Sequence, residues 1–156
     1  MKAILTMDIN GGLGKNVPNN LDRFRRLTEN KVIVMGSKTF LGSPNNERTG
    51  ITLVLTTNPN DTKFDAFADV PNVTVLTPER LFGEKHEQLL HEYVVIGGTQ
   101  TINDLYAYIT DFDVTIVKAE HECDRYFQHM NDLLTWSIAR YEEFDDRIQV
   151  RFIRSI

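Results

Sequence analysis

Six short apolar runs, separated by helix-like stretches, constrain this chain more than any other feature. They are Ala3–Met7, Val32–Met35, Ile51–Thr56, Val73–Leu76, Tyr93–Ile96 and Asp113–Lys118. Most are continuously apolar and lack the in–out alternation of a strand with one wet face. Such runs suit strands covered on both sides, as in a parallel sheet between helices. The intervening stretches carry helix signals. Leu21, Phe24 and Leu27 share one face, and Ile102, Leu105, Tyr106 and Ile109 form a helical stripe. Thr77-Pro78-Glu79 is a helix start, with a hydroxyl N-cap and Pro in the first turn.

The tail is different. Trp136–Glu142 and Ile148–Ile153 flank an acidic turn, Asp145-Asp146, and read as an antiparallel hairpin at the sheet edge. The expected fold is therefore α/β and single-domain over residues 1–156. It has a predominantly parallel twisted sheet of about eight strands, an antiparallel C-terminal hairpin and helices on both faces. Leu41–Gly50 and Asn58–Asp69 read as irregular, and neither resembles a domain linker. The chain shows no internal repeat and no low-complexity tract.

Composition narrows the function. With 156 residues, 41% hydrophobic and 25% charged, the chain is long enough for a core without staples. A formal charge of -5 gives no general attraction to nucleic acid or an anionic membrane. The basic cluster Arg23, Arg25 and Arg26 reads as a solvated helix face. A single cysteine, Cys123, excludes an internal disulfide and favours a reducing compartment. The apolar run before Asp8 is too short for a signal peptide or a membrane span. The expectation is a cytoplasmic monomer acting on a small molecule.

The loop Asn10-Gly11-Gly12-Leu13-Gly14-Lys15 invites a phosphate-loop reading, but Asn16 follows Lys15 where Ser or Thr is required. The dinucleotide pattern G-x-G-x-x-G fails as well, at Val17. What remains is a plain glycine turn or a mobile flap. Val94-Val95-Ile96-Gly97-Gly98-Thr99-Gln100-Thr101 runs from a buried strand through two glycines into a helix start. It is either a pyrophosphate seat or a tight turn with capping threonines. Met35-Gly36-Ser37-Lys38-Thr39 repeats that pattern, and Thr56-Thr57 ends the next strand. Together these lie at the C-terminal ends of parallel strands, where open α/β sheets bind ligands. His121-Glu122-Cys123-Asp124 would split its ligands between two sides of an extended segment, and His86, His91 and His129 have no zinc spacing. No metal site is expected. Cys123 reads as a structural thiol.

In order, these pieces resemble dihydrofolate reductases across nearly the whole chain. The resemblance is carried by the loop at Asn10, the helix ending Phe24-Arg25-Arg26-Leu27-Thr28, and Met35-Gly36-Ser37-Lys38-Thr39. Ile96-Gly97-Gly98, and Thr115 before Asp124 and Phe127, complete it. It implies NADPH as cofactor and dihydrofolate as substrate. Gly36, Ser37, Lys38, Thr39, Thr56 and Thr57 then fall near the adenosine phosphates, and Gly97, Gly98, Thr99, Gln100 and Thr101 at the pyrophosphate turn. Ile4, Leu5, Thr6, Phe24 and Ile96 fall at the pterin pocket and adjoining nicotinamide site. Ile9–Asn16, with Leu13 and Gly14, becomes the flap over the nicotinamide.

The departures are specific. The family usually has Leu-Pro-Trp in the flap and an acid on the first helix. Here the flap is shorter, only Val17-Pro18 resembles that motif, and the acid position counted back from Phe24 holds Asn20. Asp22 lies about 200° further around a helix. Gly50 stands where an arginine should hold the folate tail, with Arg48 the nearest substitute. Asn20 with Thr115 would bind the pterin amidine edge, without a charge. Asn19 and Asn20 also suit an N-cap before Leu21. Two other readings compete: a related NADPH reductase of a pyrimidine-type heterocycle, and a non-catalytic nucleotide-binding or structural protein of this fold.

Overall fold

The computed structural model describes residues 1–13, 21–42, 50–83, 92–120, 123 and 125–155, apart from the side chains of Leu21 and Asp22. The strands are β1 (Lys2–Asp8), β2 (Gly12–Leu13), β3 (Val32–Gly36), β4 (Thr52–Leu55), β5 (Val73–Leu76), β6 (Tyr93–Gly97), β7 (Asp111–Val117), β8 (Arg125–Tyr126), β9 (Ser137–Glu143) and β10 (Arg147–Ile153). Eight of them form one sheet in the order β5-β4-β3-β6-β1-β7-β10-β9. Its ladders are parallel except β10 against β7 and β9 against β10. This is the expected parallel sheet with an antiparallel C-terminal hairpin. A small ribbon pairs β2 with β8.

The apolar runs are buried on both faces, as their composition demands. Ala3, Leu5 and Met7 enter one cluster with Val95, Phe112, Val114, Val150 and Phe152, covered by Ile102, Leu105 and Tyr106. Ile33, Met35 and Val54 enter a second cluster with Phe40 and Phe64. Each fully buried large apolar side chain contributes about 1.5–3 kcal/mol.

The helices are α1 (Leu21–Thr28), α2 (Ser37–Gly42), α3 (Pro78–Leu81) and α4 (Thr99–Leu105). Thr77 caps α3 as expected, its Oγ1 accepting the Arg80 N–H at 3.3 Å. The stripe from Ile102 to Ile109 is buried throughout, although α4 tightens into a 3₁₀ turn at Tyr106–Tyr108.

Two expectations need correction. Residues 58–69 are not wholly irregular. Asp61 Oδ1 accepts the Lys63 N–H at 3.0 Å and starts a 3₁₀ helix, Thr62–Phe67, which buries Phe64. The basic cluster divides: Arg25 and Arg26 are exposed, whereas Arg23 pairs with buried Asp113. No helix among the described residues is long and apolar enough to cross a membrane.

Candidate functional site

The C-terminal ends of β3, β4 and β6 open into a cavity of about 880 Å³. It lies where the strand order reverses: β3 leads outward to β4 and β5, whereas β6 returns between β3 and β1. Ligands of open α/β sheets bind at such switch points. Gly36 passes straight into α2, which places Ser37, Lys38 and Thr39 in the wall. Thr56 and Thr57 follow β4, and Gly98, Thr99, Gln100 and Thr101 follow β6.

The two glycine turns interlock. A Cβ on Gly36 would collide with Thr101 Oγ1, and one on Gly98 would lie 3.0 Å from Thr39 Oγ1. Each turn thus uses its missing side chain to admit a hydroxyl from the other. Gly97 has φ of +143°, a conformation that L side chains rarely adopt, and its peptide bond to Gly98 is cis. β6 also shifts register here, so that Met35 pairs with Gly97 rather than Ile96.

The cavity is rich in donors. Hydroxyls of Ser37, Thr39, Thr56, Thr57, Thr99 and Thr101 ring it, with the cations of Lys38 and Arg125. Such a donor set fits a phosphate-bearing ligand, and the volume fits an extended one. Glu79 and Asp104 also line it, and Gln100 Nε2 donates to Asp104 Oδ1 at 2.7 Å. Phe82 and Tyr108 stack in the wall, with centroids 4.1 Å apart. Sequence reading missed this aromatic pair, whose members come from separate helical turns. It also missed Arg125 and Tyr126, which the β2–β8 ribbon brings to the cavity.

A second polar region lies on the sheet face under α1. Arg23 Nη2 donates to both oxygens of Asp113 at 2.8 Å, which fixes that face as the one below α1. Strand alternation puts Thr115 beside Asp113. Register pairs Ile4 with Asp113 and Thr6 with Thr115, all on this face. On the other side, Gln149 pairs with Thr115 and Arg151 with Asp113. Thr115 Oγ1 donates to Gln149 Oε1 at 2.9 Å, and both residues are buried. Arg151 holds Asp111 through Nε and Nη2, at 3.0 and 2.6 Å. That carboxylate raises the Arg151 pKa.

The expected site residues thus fall into groups. Gly36, Ser37, Lys38, Thr39, Thr56, Thr57, Gly98, Thr99, Gln100 and Thr101 come together around the cavity, and Gly97 supports the turn. Ile4, Thr6 and Thr115 share the α1 face, and Phe24 and Ile96 are half-buried. Leu5 turns its side chain to the opposite face, into the core with Ala3 and Met7. Leu13 is likewise buried in that core, although its neighbour Gly12 anchors the loop through its N–H to Asp8 Oδ1 at 2.8 Å. Gly14, Asn20 and Arg48 lie outside the described residues, as do Val17-Pro18, His121, Glu122 and Asp124. Cys123 packs against Gly12 and reaches Asp8 Oδ2 at 3.8 Å.

Comparison with known proteins finds matches along nearly the whole chain. A family model described as dihydrofolate reductase matches residues 2–155. Dihydrofolate reductase of Bacillus subtilis (strain 168) is 30% identical over 153 residues, covering 90% of this chain and 82% of the relative. Dihydrofolate reductase of Ureaplasma parvum serovar 3 is 28% identical over 158 residues, covering 95% and 93%. Among solved structures, a dihydrofolate reductase from Enterococcus faecalis, complexed with NADP(H) and RAB-propyl, matches with a TM-score of 0.74. The match covers 100% of this chain and 97% of that one at 20% identity, and it shows the shared fold.

Proposed function

Because the chain belongs to the dihydrofolate reductase family, we propose that it reduces 7,8-dihydrofolate to 5,6,7,8-tetrahydrofolate with NADPH. The interlocked glycine turns at the sheet switch point carry this reading, since they line a donor-rich cavity at the ends of β3, β4 and β6. The chemistry that NADPH would supply here is a hydride for C6 of the substrate, with a proton taken up at N5.

The chain's own part is to bind, orient and hydrogen-bond. Ser37, Lys38, Thr39, Thr56 and Thr57 hold the adenosine phosphates. Gly98 to Thr101 hold the pyrophosphate, with Gln100 kept in place by Asp104. Ile4, Thr6, Phe24 and Ile96 enclose the nicotinamide and pterin, and Leu13 and Gly14 belong to the flap above. Thr115 and Asn20 bond the amidine edge of the pterin, and Arg48 receives the glutamate tail.

Asn20 accepts and donates hydrogen bonds but carries no charge and does not titrate. A carboxylate there would favour the N5-protonated ring. Without one, turnover rises as pH falls and the substrate takes its proton from solvent. The test is NADPH oxidation with dihydrofolate, followed by absorbance, with tetrahydrofolate identified as product. Consumption of one NADPH per tetrahydrofolate supports the proposal. NADPH binding without oxidation would defeat it in favour of a non-catalytic protein. Oxidation with a reducible pyrimidine and none with dihydrofolate would defeat it in favour of the related reductase.

A further inference from the structure

We propose that Gln149 is a positioning residue that acts through Thr115 and sets which hydrogen-bonding edge of a pteridine this site accepts. The inference rests on the substrate reading above. Three observations carry it. Gln149 and Thr115 are cross-strand partners on the face below α1. The Thr115 hydroxyl donates to Gln149 Oε1 at 2.9 Å, in a buried setting. Gln149 Nε2 is buried and has no hydrogen-bond partner among the described residues. A glutamine kept for structure bridges two groups with both ends of its amide. Among the described residues this one is bonded at its oxygen alone, and the group it holds there is Thr115.

A threonine hydroxyl has a single proton and two lone pairs. With the proton directed to Gln149, the oxygen can only accept from anything else on the α1 face. An accepting Thr115 suits an N–H-bearing edge, such as the amino group of a pterin. It does not suit a bare ring nitrogen, which would meet it lone pair to lone pair. Gln149 thus fixes the polarity of Thr115 without touching the substrate. Without the amide oxygen, the hydroxyl proton is released and Thr115 can donate as readily as accept.

The test compares two probes, a 2,4-diaminopteridine and its analogue lacking the 2-amino group. Binding is read by quenching of protein fluorescence in the parent, Gln149→Leu, Gln149→Met, Gln149→Glu, Thr115→Val and Thr115→Val/Gln149→Leu. The parent should prefer the amino-bearing probe by about tenfold, roughly the worth of one well-placed hydrogen bond. Gln149→Leu and Gln149→Met should lose most of that preference. Gln149→Glu, which keeps the accepting oxygen, should retain it. The double variant should be no worse than Thr115→Val alone. In turnover, Gln149→Leu should raise KM for dihydrofolate several-fold at unchanged kcat, because the bond is equal in ground and transition states.

Met is unbranched and close to Gln in length, so Gln149→Met keeps the proposal testable if Gln149→Leu fails to fold. An unchanged preference in folded Gln149→Met would overturn the inference. So would additive losses in the double variant, or a parent that prefers the analogue without the amino group. These outcomes are separate from NADPH oxidation by the parent, which tests the reaction itself. A parent that binds neither probe overturns both.

Discussion

The cavity at the ends of β3, β4 and β6 and the polar face under α1 are built on different principles. In the cavity, backbone shape does the work. Gly36 and Gly98 each make room for a hydroxyl from the other turn, and the donors around them are threonines, a serine and Lys38. On the α1 face, side chains spaced far apart in the chain do the work. Arg23 meets Asp113, Thr115 meets Gln149, and Asp111 meets Arg151. The first region has little freedom to vary, because a Cβ has nowhere to go. The second can exchange one satisfied pair for another.

The contrast breaks most sharply at Gly97. Gly97→Ala forces a side chain onto φ of +143°, at a cost of about 1–3 kcal/mol. The expected result is NADPH affinity weakened by about tenfold or more in a fluorescence titration. The pterin-probe preference should survive. Loss of both together would show that the two regions are not separable.

Arg23→Met comes next. It leaves Asp113 buried without its partner, and Arg23 is itself only 21% exposed. Stability should fall by about 2 kcal/mol, roughly 5 °C in Tm. Arg23→Met/Asp113→Leu should recover most of the loss, since an apolar pair can replace a buried ion pair. NADPH affinity should stay near the parent value. No recovery in the double variant would mean that the pair is needed for more than charge balance.

Asp132→Asn sharpens the account from a third place. Tyr106 Oη and Trp136 Nε1 both donate to Asp132, and these bonds hold its carboxyl below the usual carboxylate pKa. Stability from a depressed carboxyl is present above its unfolded pKa and is lost as pH falls through the folded value. Acid unfolding of Asp132→Asn should therefore be less steep than that of the parent, with ligand affinities unchanged. The smallest effect belongs to the exposed pair Lys118–Glu143. Glu143→Gln should leave Tm unchanged at moderate salt, because exposed ion pairs contribute little.

The same contrast explains what could be read from the sequence. The strands, their parallel arrangement and the hairpin were legible, because continuous apolar runs and alternation are local patterns. So were the two glycine turns, whose Gly-x-x-Thr and Gly-Gly-Thr spellings sit within a few residues. Gln149 and Arg151 alternate with Val150 and Phe152, a pattern that reads equally well as a wet edge strand. Arg23 looked like one more solvated arginine until Asp113, ninety positions on, came beneath it. The 3₁₀ helix at Thr62–Phe67 was missed because its start rests on one aspartate cap. Leu5 and Leu13 bury their side chains in the core with Ala3 and Met7, which their apolar character alone already allowed.

The most direct test is the pH dependence of NADPH oxidation with dihydrofolate, measured for the parent and for Asn20→Asp from acid to neutral pH. A site that works without its own acid should turn over faster toward acid in the parent. In Asn20→Asp the profile should flatten, with a gain near neutrality. Strong turnover at neutral pH in the parent, lost in Asp22→Asn, would contradict the account and give the acid's role to Asp22.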